Sequence, residues 1–580
     1  MKIIGFTSHI GNNHDSSAAL LVDGKIIQAE AVERVTRKKH DSSFAQPVIK
    51  EIFQQRKLKS ANIDYYVSGA PETSFRTALK SYIDGIRFVT VPDLLNWVFL
   101  NIVYMIKTIP VLISTKRTTY KESGFPEKKL LFVPHHLAHA ETAYTFSNMN
   151  KCLVIAWDGY GPDQSGYPWC AGIYIGSDGQ LKLVEQINIW NSVGLYYGAV
   201  TLVLGFKLND GEGKTMGFAS YGKSSPAVKK MREFFPSFTN GKWKTRSNWM
   251  EICGVSRLPF FKMTPSYGKL MDMVKTYGEE QVAFAAQEIF EEVCESYVKY
   301  LVKKYKISDV AVAGGLFLNV KFNMRILKNK TVNSLFVYPN PGDGGIAVGA
   351  AVAAYKELGR KKSVEVMESA SLGCEYSNSE IEKAYVKFKK VLKIEKLGKN
   401  TSRIAAEKIS QGKVIGWFQG RSEWGPRALG NRSVLADPRH EETKERINTH
   451  LKKRDWFMPF APAILKEHVA EFLENGYGTP FMTLADDVKK GKRSKIAAAI
   501  HIDGTARFQT VDKKVNPIYW DLIDEFKKIT GVPVILNTSF NKHGLPIVHT
   551  PTDALEHLEW GCLDELIIGD YLFTRRDEKH

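Results

Sequence analysis

Two histidines, His135 and His139, stand four positions apart in the segment Pro-His-His-Leu-Ala-His. In a helix this spacing places both imidazoles on one face. Neutral imidazole is the commonest metal ligand in proteins, but two histidines do not complete a site, and carboxylates must supply the remaining ligands. Asp158 and Asp343 each end an apolar strand and enter a glycine turn, from which a side chain can face a cleft. The alternative is two structural histidines and two turn aspartates, but the four residues together favour a metal.

A glycine pair, Gly314 and Gly315, follows the apolar run 310–313. Glycines let a base or ribose approach the backbone closely, and the nearby Asn319 can hydrogen-bond a nucleotide. A tight turn between a strand and a helix explains the same residues. Both interpretations remain open at this point.

The C-terminal part is rich in groups that bind small anions. Arginine forks, a lysine amine and short amide or hydroxyl groups are the donors that a phosphate-bearing anion needs. They are spread along the chain and converge only if the fold brings them together. A basic surface is the alternative, but apolar runs flank these residues, which lie at 420–430, 452–454, 507 and 537–541.

The elements that position these residues follow a repeated pattern. A strand, a polar turn and an Asp-Gly hairpin occur at residues 3–31 and again at 153–186. Two such units predict an α/β fold of the actin/Hsp70/sugar-kinase class. Beyond the charged stretch 358–362 the pattern resets, and we place a domain boundary so that residues 1–365 and 366–580 form two domains.

Composition bounds the class of protein. The chain has 580 residues with 44% hydrophobic and 24% charged residues, which excludes a disordered chain and predicts at least two domains. The net charge of +18 favours anionic partners. Six cysteines without a CxxC pair, and an N-terminus that runs directly into a strand pattern without a basic leader, lead us to expect a cytoplasmic protein.

One apolar stretch, residues 91–107, is long enough to raise the question of a membrane span. Asp93, Asn96, Asn101 and Lys107 interrupt it. A buried or partly exposed helix is therefore favoured, and a helix on a membrane surface is the alternative.

Many motifs, in order over nearly the whole chain, resemble the O-carbamoyltransferases of the NodU/CmcH type, which act in nodulation-factor and antibiotic tailoring. The resemblance implies an N-terminal Kae1-like domain, which is a duplicated ribonuclease H-like fold of the actin class, and a C-terminal YrdC-like α/β domain. The matching segments are HDSSAALLVDG (14–24), HHLAHA (135–140), WDGYG (157–161), GKTMGFASYG (213–222), AGGLFLN (313–319), NPGDGG (340–345), GRSEWGPRALGNRS (420–433), PFAPAIL (459–465), DGTARFQTV (503–511) and VILNTSFN (534–541).

The resemblance also implies a reaction. Carbamoyl phosphate and ATP give carbamoyl adenylate and pyrophosphate in the YrdC-like domain. The carbamoyl group then moves, in the Kae1-like domain, to a hydroxyl of an acceptor such as a sugar, an antibiotic or a glycolipid. The implied cofactors are a divalent metal, with iron the expected ion, and Mg²⁺ with ATP.

By matching motifs, the resemblance assigns roles to individual residues. One departure concerns Met458, which stands where some relatives have an arginine and cannot bind a phosphate oxygen; Arg454 is the candidate to replace it. The implied catalytic residues are His14 and Lys39, the metal ligands are His135, His139, Asp158 and Asp343, the adenosine contacts are Gly314, Gly315 and Asn319, and the carbamoyl phosphate pocket contains Arg427, Lys452, Arg454, Arg507, Asn537 and Ser539.

Two alternatives compete with this interpretation. One is a tRNA-modifying enzyme of the threonylcarbamoyl type, but the carbamoyltransferase motifs run through both fused domains, so no nucleic acid partner is expected. The other is an ATP-binding scaffold that contacts a membrane surface through residues 91–109. The oligomeric state stays open, with a homodimer among the options.

Overall fold

The computed structural model describes residues 1–7, 15–69, 80, 123–165, 167–246, 248–253, 261–359, 363–453 and 455–576. The chain divides into two compact units. The first contains Met1–Ile27 and Ser42–Val366, and the second contains Gln28–Asp41 and Met367–His580. The segment Gln28–Asp41 thus belongs to the C-terminal unit although it stands near the start of the chain, a feature that the sequence pattern did not indicate.

The first unit begins with a five-stranded sheet. Its strand order is β3-β2-β1-β4-β5, and the division between the two units falls within β3. Strand β2 runs antiparallel to β1, whereas β4 and β5 run parallel to it. Apolar residues on both faces of β1 and β2 are buried, as expected of strands covered on each side. The strands are β1 Lys2–Phe6, β2 Ser17–Val22, β3 Lys25–Ala31, β4 Tyr65–Ser68 and β5 Leu130–Phe132.

A second five-stranded sheet in the same unit repeats this topology. Its order is β8-β7-β6-β11-β12, with an antiparallel hairpin on one side of β6 and two parallel strands on the other. The predicted duplication of a strand-hairpin unit is therefore confirmed. The strands are β6 Lys151–Pro162, β7 Pro168–Ser177, β8 Gln180–Asn188, the small separate pair β9 Ser237–Thr239 and β10 Lys242–Lys244, and then β11 Asp309–Ala313 and β12 Ser334–Val337.

Helices exchange between the two sheets. The helix that follows β5 packs on β6 and β11, and the helix that follows β12 packs on β1 and β2. These two helices, α3 and α11, also contact each other, so the middle of the unit lies between the sheets. The helices in this part of the chain are α1 Val32–Thr36, α2 Gln46–Gln55, α3 His135–Phe146, α4 Val193–Val203, α5 Glu212–Phe218, α6 Pro226–Phe234, α7 Trp249–Cys253, α8 Pro265–Tyr277, α9 Glu279–Tyr305, α10 Val320–Lys328 and α11 Ile346–Leu358.

The second unit is built on an eight-stranded mixed sheet of order β13-β22-β21-β14-β15-β20-β16-β19, beside a short pair of strands, β17 and β18. The predicted α/β class is confirmed here too, while the YrdC-like assignment stays a prediction. The strands are β13 Leu392–Lys396, β14 Ile415–Phe418, β15 Arg432–Ala436, β16 Ala461–Leu465, β17 Asp486–Asp487, β18 Thr505–Ala506, β19 Gln509–Val511, β20 Val534–Ser539, β21 Glu565–Ile568 and β22 Tyr571–Arg575.

Two hydrophobic cores cover the faces of this sheet. Along β14, Ile415 and Trp417 enter one core and Phe418 enters the other, because successive side chains of a strand point to opposite faces. The first core includes residues of α13 and α16, and the second includes residues of α12 and α17. The helices are α12 Asn378–Tyr385, α13 Thr401–Ser410, α14 Glu442–Ile447, α15 Val469–Phe472, α16 Pro517–Thr530 and α17 Pro551–Glu559.

The membrane prediction concerns residues 91–109, which lie outside the described residues. Among the helices of the described residues, none combines the length and the apolar character that crossing a membrane requires.

Candidate functional site

Four side chains converge in the first unit and form what we call the histidine–aspartate cluster: His135, His139, Asp158 and Asp343. The two histidines lie in the first turns of α3, Asp158 lies on β6, and Asp343 begins the 3₁₀ turn that leads into α11. The Nε2 atoms of His135 and His139 are 3.4 and 3.1 Å from Oδ2 of Asp158. Both are 3.7 Å from Oδ1 of Asp343.

Local features of β6 and α3 explain this convergence. The register between β6 and β7 shifts between Trp157 and Gly161, and such an irregularity re-aims the side chains it contains, here that of Asp158. The ring of His135 fits only because position 161 is a glycine, since an added Cβ would lie 2.2 Å from its Cδ2 atom. Alanines on α3 are fully buried, so the helix is enclosed and holds its histidines away from solvent.

The electrostatics of the histidine–aspartate cluster favour positive charge. Burial opposes protonation of His139, but hydrogen bonds and charge interactions with the two aspartates raise its pKa to about 9. Burial likewise opposes ionisation of Asp158, yet the two histidines hold the pKa of its carboxyl well below the usual range. Next to the cluster, burial and then the neighbouring histidines lower the pKa of His136, which is neutral.

The donor set fits a metal ion. One atom from each of the four residues lies within 4.8 Å of the others, and the set consists of two imidazole nitrogens and two carboxylate oxygens. That combination suits a divalent transition metal such as iron. The Nδ1 atom of His135 is buried without a hydrogen-bond partner in the described part of the chain. The structure thus brings together all four residues that the sequence predicted as metal ligands.

The glycine pair lies directly against this cluster. Gly314 has a φ of +108°, and a Cβ added to it would lie 2.1 Å from the carbonyl oxygen of Trp157. A Cβ on Gly315 would lie 2.7 Å from Oδ1 of Asp158. Only glycines therefore allow this turn to approach the strand that carries the aspartate so closely.

The side chain of Asn319 is engaged within the protein. Its Oδ1 accepts a hydrogen bond of 3.0 Å from the backbone N–H of Phe322 and so caps helix α10. Its amide also pairs with that of Gln287 in two hydrogen bonds of 3.0 and 3.1 Å. The amide of Asn319 thus has a structural role in the cap of α10 and in the pair with Gln287.

A second polar cluster, the lysine cluster, lies in the second unit and consists of Lys452, Ser539 and Asn541. The Nζ atom of Lys452 donates to Oγ of Ser539 at 3.0 Å and to Oδ1 of Asn541 at 2.8 Å. It also donates to the backbone carbonyl oxygens of both residues. Lys452 is only 2% exposed, so its charge is held in a buried site whose named acceptors are all neutral oxygens.

Strand β20 links this lysine cluster to two arginine-bearing segments. The Nδ2 atom of Asn537 donates to the carbonyl oxygen of Ala428 and to Oε1 of Gln509, each at 3.1 Å. Ala428 follows Arg427, and Gln509 stands two positions after Arg507. The structure therefore gathers these parts of the predicted carbamoyl phosphate pocket around one strand.

Arg427 stands out among these residues. Its guanidinium makes no hydrogen bond or ion pair to the described part of the chain. Burial lowers its pKa to about 10. The side chain is half-buried, and a guanidinium in that position without a protein acceptor can offer its N–H groups to an anion.

Three comparisons with known proteins bear on this geometry. The family model described as carbamoyltransferase N-terminus matches residues 2–352, and the model described as carbamoyltransferase C-terminus matches residues 406–575. This chain belongs to the carbamoyltransferase family. The first unit thus carries the N-terminal family domain, and the enzymatic prediction is confirmed over that of a non-enzymatic scaffold.

Individual relatives agree with the family assignment. The carbamoyltransferase is 32% identical to nodulation protein NolNO of Sinorhizobium fredii, an alignment that covers 97% of this chain and 79% of the relative. It is 35% identical to nodulation protein NolO of Bradyrhizobium diazoefficiens over 76% of this chain and 79% of the relative. A crystal structure of full-length HypF in the phosphate- and nucleotide-bound form aligns with 62% of this chain and 55% of its own, with 12% identity and a TM-score of 0.33.

The remaining predicted residues of the carbamoyltransferase have varied positions. His14 and Arg454 lie outside the described residues. Lys39 is exposed and lies with the second unit, in Gln28–Asp41. The sequence reasoning did not assign roles to Asn541 or Gln509; Asn541 ends the quoted motif Val-Ile-Leu-Asn-Thr-Ser-Phe-Asn, and that motif was the available signal.

Glu423 is another residue that the sequence reasoning missed. It is fully buried, and its Oε1 atom accepts from the backbone N–H groups of Leu429, Asn431 and Arg432 at 2.7 to 2.9 Å. One carboxylate therefore shapes the loop that carries Arg427. A glutamate inside a glycine- and arginine-rich loop was the only hint in the sequence.

Proposed function

We propose that this carbamoyltransferase is an ATP-dependent O-carbamoyltransferase that works in two steps. In the second unit, carbamoyl phosphate and ATP form carbamoyl adenylate with release of pyrophosphate. In the first unit, a hydroxyl of a small-molecule or glycoconjugate acceptor attacks the carbamoyl carbon, and AMP leaves with the electrons of the broken C–O bond.

The first step must also release inorganic phosphate if atoms are to balance. Water cleaves carbamoyl phosphate to carbamate and phosphate. A carbamate oxygen then attacks the α-phosphorus of ATP, and pyrophosphate leaves. Each turnover therefore yields one phosphate, one pyrophosphate and one adenylate.

The observation that carries this proposal is the half-buried Arg427, which has no acceptor in the described part of the chain and lies on the loop joined to β20 by Asn537. A guanidinium can bind two phosphate oxygens at once, and the buried Lys452, which ends the helical turn Asn448–Lys452, supplies a point charge against Ser539 of the same strand β20. Asn537 and Ser539 add short polar groups next to them. Together these groups match the charge and hydrogen-bonding pattern of carbamoyl phosphate.

The histidine–aspartate cluster supports the second step. When bound by His135, His139, Asp158 and Asp343, a divalent metal such as iron would supply positive charge for the phosphate of the adenylate. Gly314 and Gly315 pack against Trp157 and Asp158, so the predicted adenosine-contact turn lies beside the cluster. The proposed general base for the acceptor hydroxyl is His14, with Lys39 as a second candidate catalytic residue.

The overall reaction is tested by product analysis. The purified protein is incubated with Mg²⁺, ATP and carbamoyl phosphate, and phosphate and pyrophosphate are measured with each substrate omitted in turn. We expect pyrophosphate only when both substrates are present. Pyrophosphate that forms without carbamoyl phosphate would contradict the first step.

The acceptor is sought by mass spectrometry for the gain of one carbamoyl group across a panel of sugar and antibiotic alcohols. The variant His14→Asn separates the two steps. We expect it to lower carbamoyl transfer while pyrophosphate formation continues. Equal loss of both steps would remove His14 from the proposed role.

A further inference from the structure

The segment Gln28–Asp41 makes contacts within the second unit, where two of its arginines reach two loops. One loop, residues 420–431, carries Arg427, and the other, residues 540–549, carries Asn541 of the lysine cluster. We propose that this segment positions both loops for carbamoyl phosphate, with Arg34 holding the first and Arg37 holding the second. The inference rests on the proposed function, because it concerns the same anion site.

Arg34 anchors the loop of Arg427. It is 2% exposed, and its Nη2 atom donates to the carbonyl oxygen of Gly425 at 2.8 Å, two positions before Arg427. Glu30, also buried, lies 3.8 Å from Nε of Arg34 and accepts a hydrogen bond of 2.7 Å from Oγ of Ser422. This loop is therefore held at the backbone of Gly425 and the side chain of Ser422 by side chains from a distant part of the sequence.

Arg37 anchors the second loop. Its two terminal nitrogens donate to the carbonyl oxygens of Ile547 at 2.6 Å and Pro546 at 3.1 Å, and its Nε lies 3.7 Å from Oδ1 of Asp553. The neighbouring residue Leu545 accepts a hydrogen bond of 2.7 Å from Nδ2 of Asn541. A chain of short contacts thus runs from Arg37 through this loop to the lysine cluster.

Helix α17 holds the other side of the same loop. Nε2 of His557 accepts from the N–H of Lys542 at 2.9 Å, and its Nδ1–H donates to the carbonyl oxygen of Asp553 at 2.6 Å. The carboxylate of Asp553 accepts from the N–H of His549 at 2.9 Å. Helix α17 thus holds the backbone of the loop at Lys542 and His549, and Arg37 holds it between them, at Pro546 and Ile547.

None of the contacts of Arg37 with described residues involves a residue assigned to the pocket, so we regard it as a positioning residue. Its loss frees the carbonyl oxygens of Pro546 and Ile547 and releases the constraint on Asn541. Small displacements of binding groups weaken substrate binding strongly. We therefore expect the KM for carbamoyl phosphate to rise by about tenfold in Arg37→Met, with a much smaller change in kcat. Arg37→Lys keeps the charge but not the two-pronged contact, and should restore the KM only in part.

A matched control is Arg576→Met. Arg576 also donates to two carbonyl oxygens, those of Lys389 at 3.0 Å and Leu392 at 3.1 Å. Those contacts lie at β13, which four strands separate from β20 in the sheet. We expect this variant to keep the wild-type KM for carbamoyl phosphate.

The test combines pyrophosphate-release kinetics with hydrogen exchange. Backbone amides of residues 541–549 should exchange faster in Arg37→Met than in the wild type, and Arg34→Lys should have the same effect on residues 420–431. An unchanged KM and unchanged exchange in Arg37→Met would overturn the inference. If the wild type forms no pyrophosphate, the proposed function fails, and the exchange rates still decide whether Arg37 holds the loop.

Discussion

The two polar clusters of this carbamoyltransferase are buried to a similar degree but are built for opposite charges. The histidine–aspartate cluster surrounds its imidazoles with carboxylates, which raise the pKa of His139 to about 9. In the lysine cluster an ammonium donates to the neutral oxygens of Ser539 and Asn541, and Arg427 of the same unit has no acceptor in the described part of the chain. Burial alone does not determine the ligand; the charge of the neighbouring groups makes one cluster suit a cation and the other an anion.

The largest expected effect is in the histidine–aspartate cluster. Asp158→Asn removes one negative oxygen from the cluster without changing its shape. We expect bound metal to be lost and carbamoyl transfer to fall by about a hundredfold or more, since first ligands matter at least as much as the outer groups for which tenfold to hundredfold losses are typical. Metal content by mass spectrometry and transfer to an acceptor measure this. Pyrophosphate formation that falls equally would show that the two clusters are not separate in function.

The second effect is in the lysine cluster. Lys452→Met removes the buried ammonium and should weaken carbamoyl phosphate binding by about ten- to a hundredfold, because hydrogen bonds to charged groups are worth about 1.5–3 kcal/mol. Calorimetric titration measures the affinity, and metal content should stay at the wild-type level. The exposed Lys528, which pairs with Asp524 and Glu525, provides a control in Lys528→Met. Equal affinities in the two variants would remove Lys452 from the anion site.

A third prediction concerns pH. The pKa of His557, which lies beside the lysine cluster, is shifted downward, whereas the pKa of His139 is shifted upward. Burial, with Arg37 and Lys452 contributing positive charge, lowers the pKa of His557 to about 4, although Asp553 opposes the shift. Above pH 6.5 His557 is neutral in both states and its full contribution to stability is present. As pH falls from 6.5 to 4 the unfolded state takes up the proton first, and about 3 kcal/mol of unfolding free energy is lost.

Chemical denaturation at pH 7.5 and pH 4.5 measures this loss. His557→Gln has no imidazole that titrates at this position. The difference in unfolding free energy between pH 7.5 and pH 4.5 should therefore be smaller in this variant than in the wild type. A variant that loses as much stability on acidification as the wild type would show that His557 does not carry the effect.

The smallest expected effect distinguishes two roles of Asn319. Asn319→Ala removes the cap of α10 and should lower the unfolding free energy by about 1 kcal/mol, with the rate of carbamoyl transfer unchanged. Asn516 caps α16 in the same way, so Asn516→Ala is the matched control for the loss of a cap. A tenfold fall in carbamoyl transfer in Asn319→Ala alone, with pyrophosphate formation unchanged, would instead support the predicted contact with the adenosine of carbamoyl adenylate.

Several features of the fold were predictable because they depend on short-range patterns. The spacing of His135 and His139 indicates a shared helix face, and both lie on one face of α3. The repeated strand and Asp-Gly hairpin indicated the duplicated sheets, which share one strand order. A hairpin depends on a few neighbouring residues, and helical spacing depends on a single turn, so each is visible in a short stretch of sequence.

The sequence predicted that Asp158 and Asp343 lie together only because two histidines need carboxylates to complete a metal site. Their contact results from the exchange of α3 and α11 between the two sheets. The role of Glu423 was not predictable in the same way, because its three N–H partners come from a loop whose path depends on the sheet beneath it.

By itself the sequence determined the α/β class, the duplicated strand pattern, the family and the chemical types of the groups in both clusters. Only the tertiary structure decided that Gln28–Asp41 belongs to the second unit, and that Arg34 and Arg37 hold loops almost 400 and more than 500 positions away. The physical reason is that local patterns report which face of an element is apolar, whereas partners distant in the chain are chosen by packing and by hydrogen bonds that form only after the sheets have assembled.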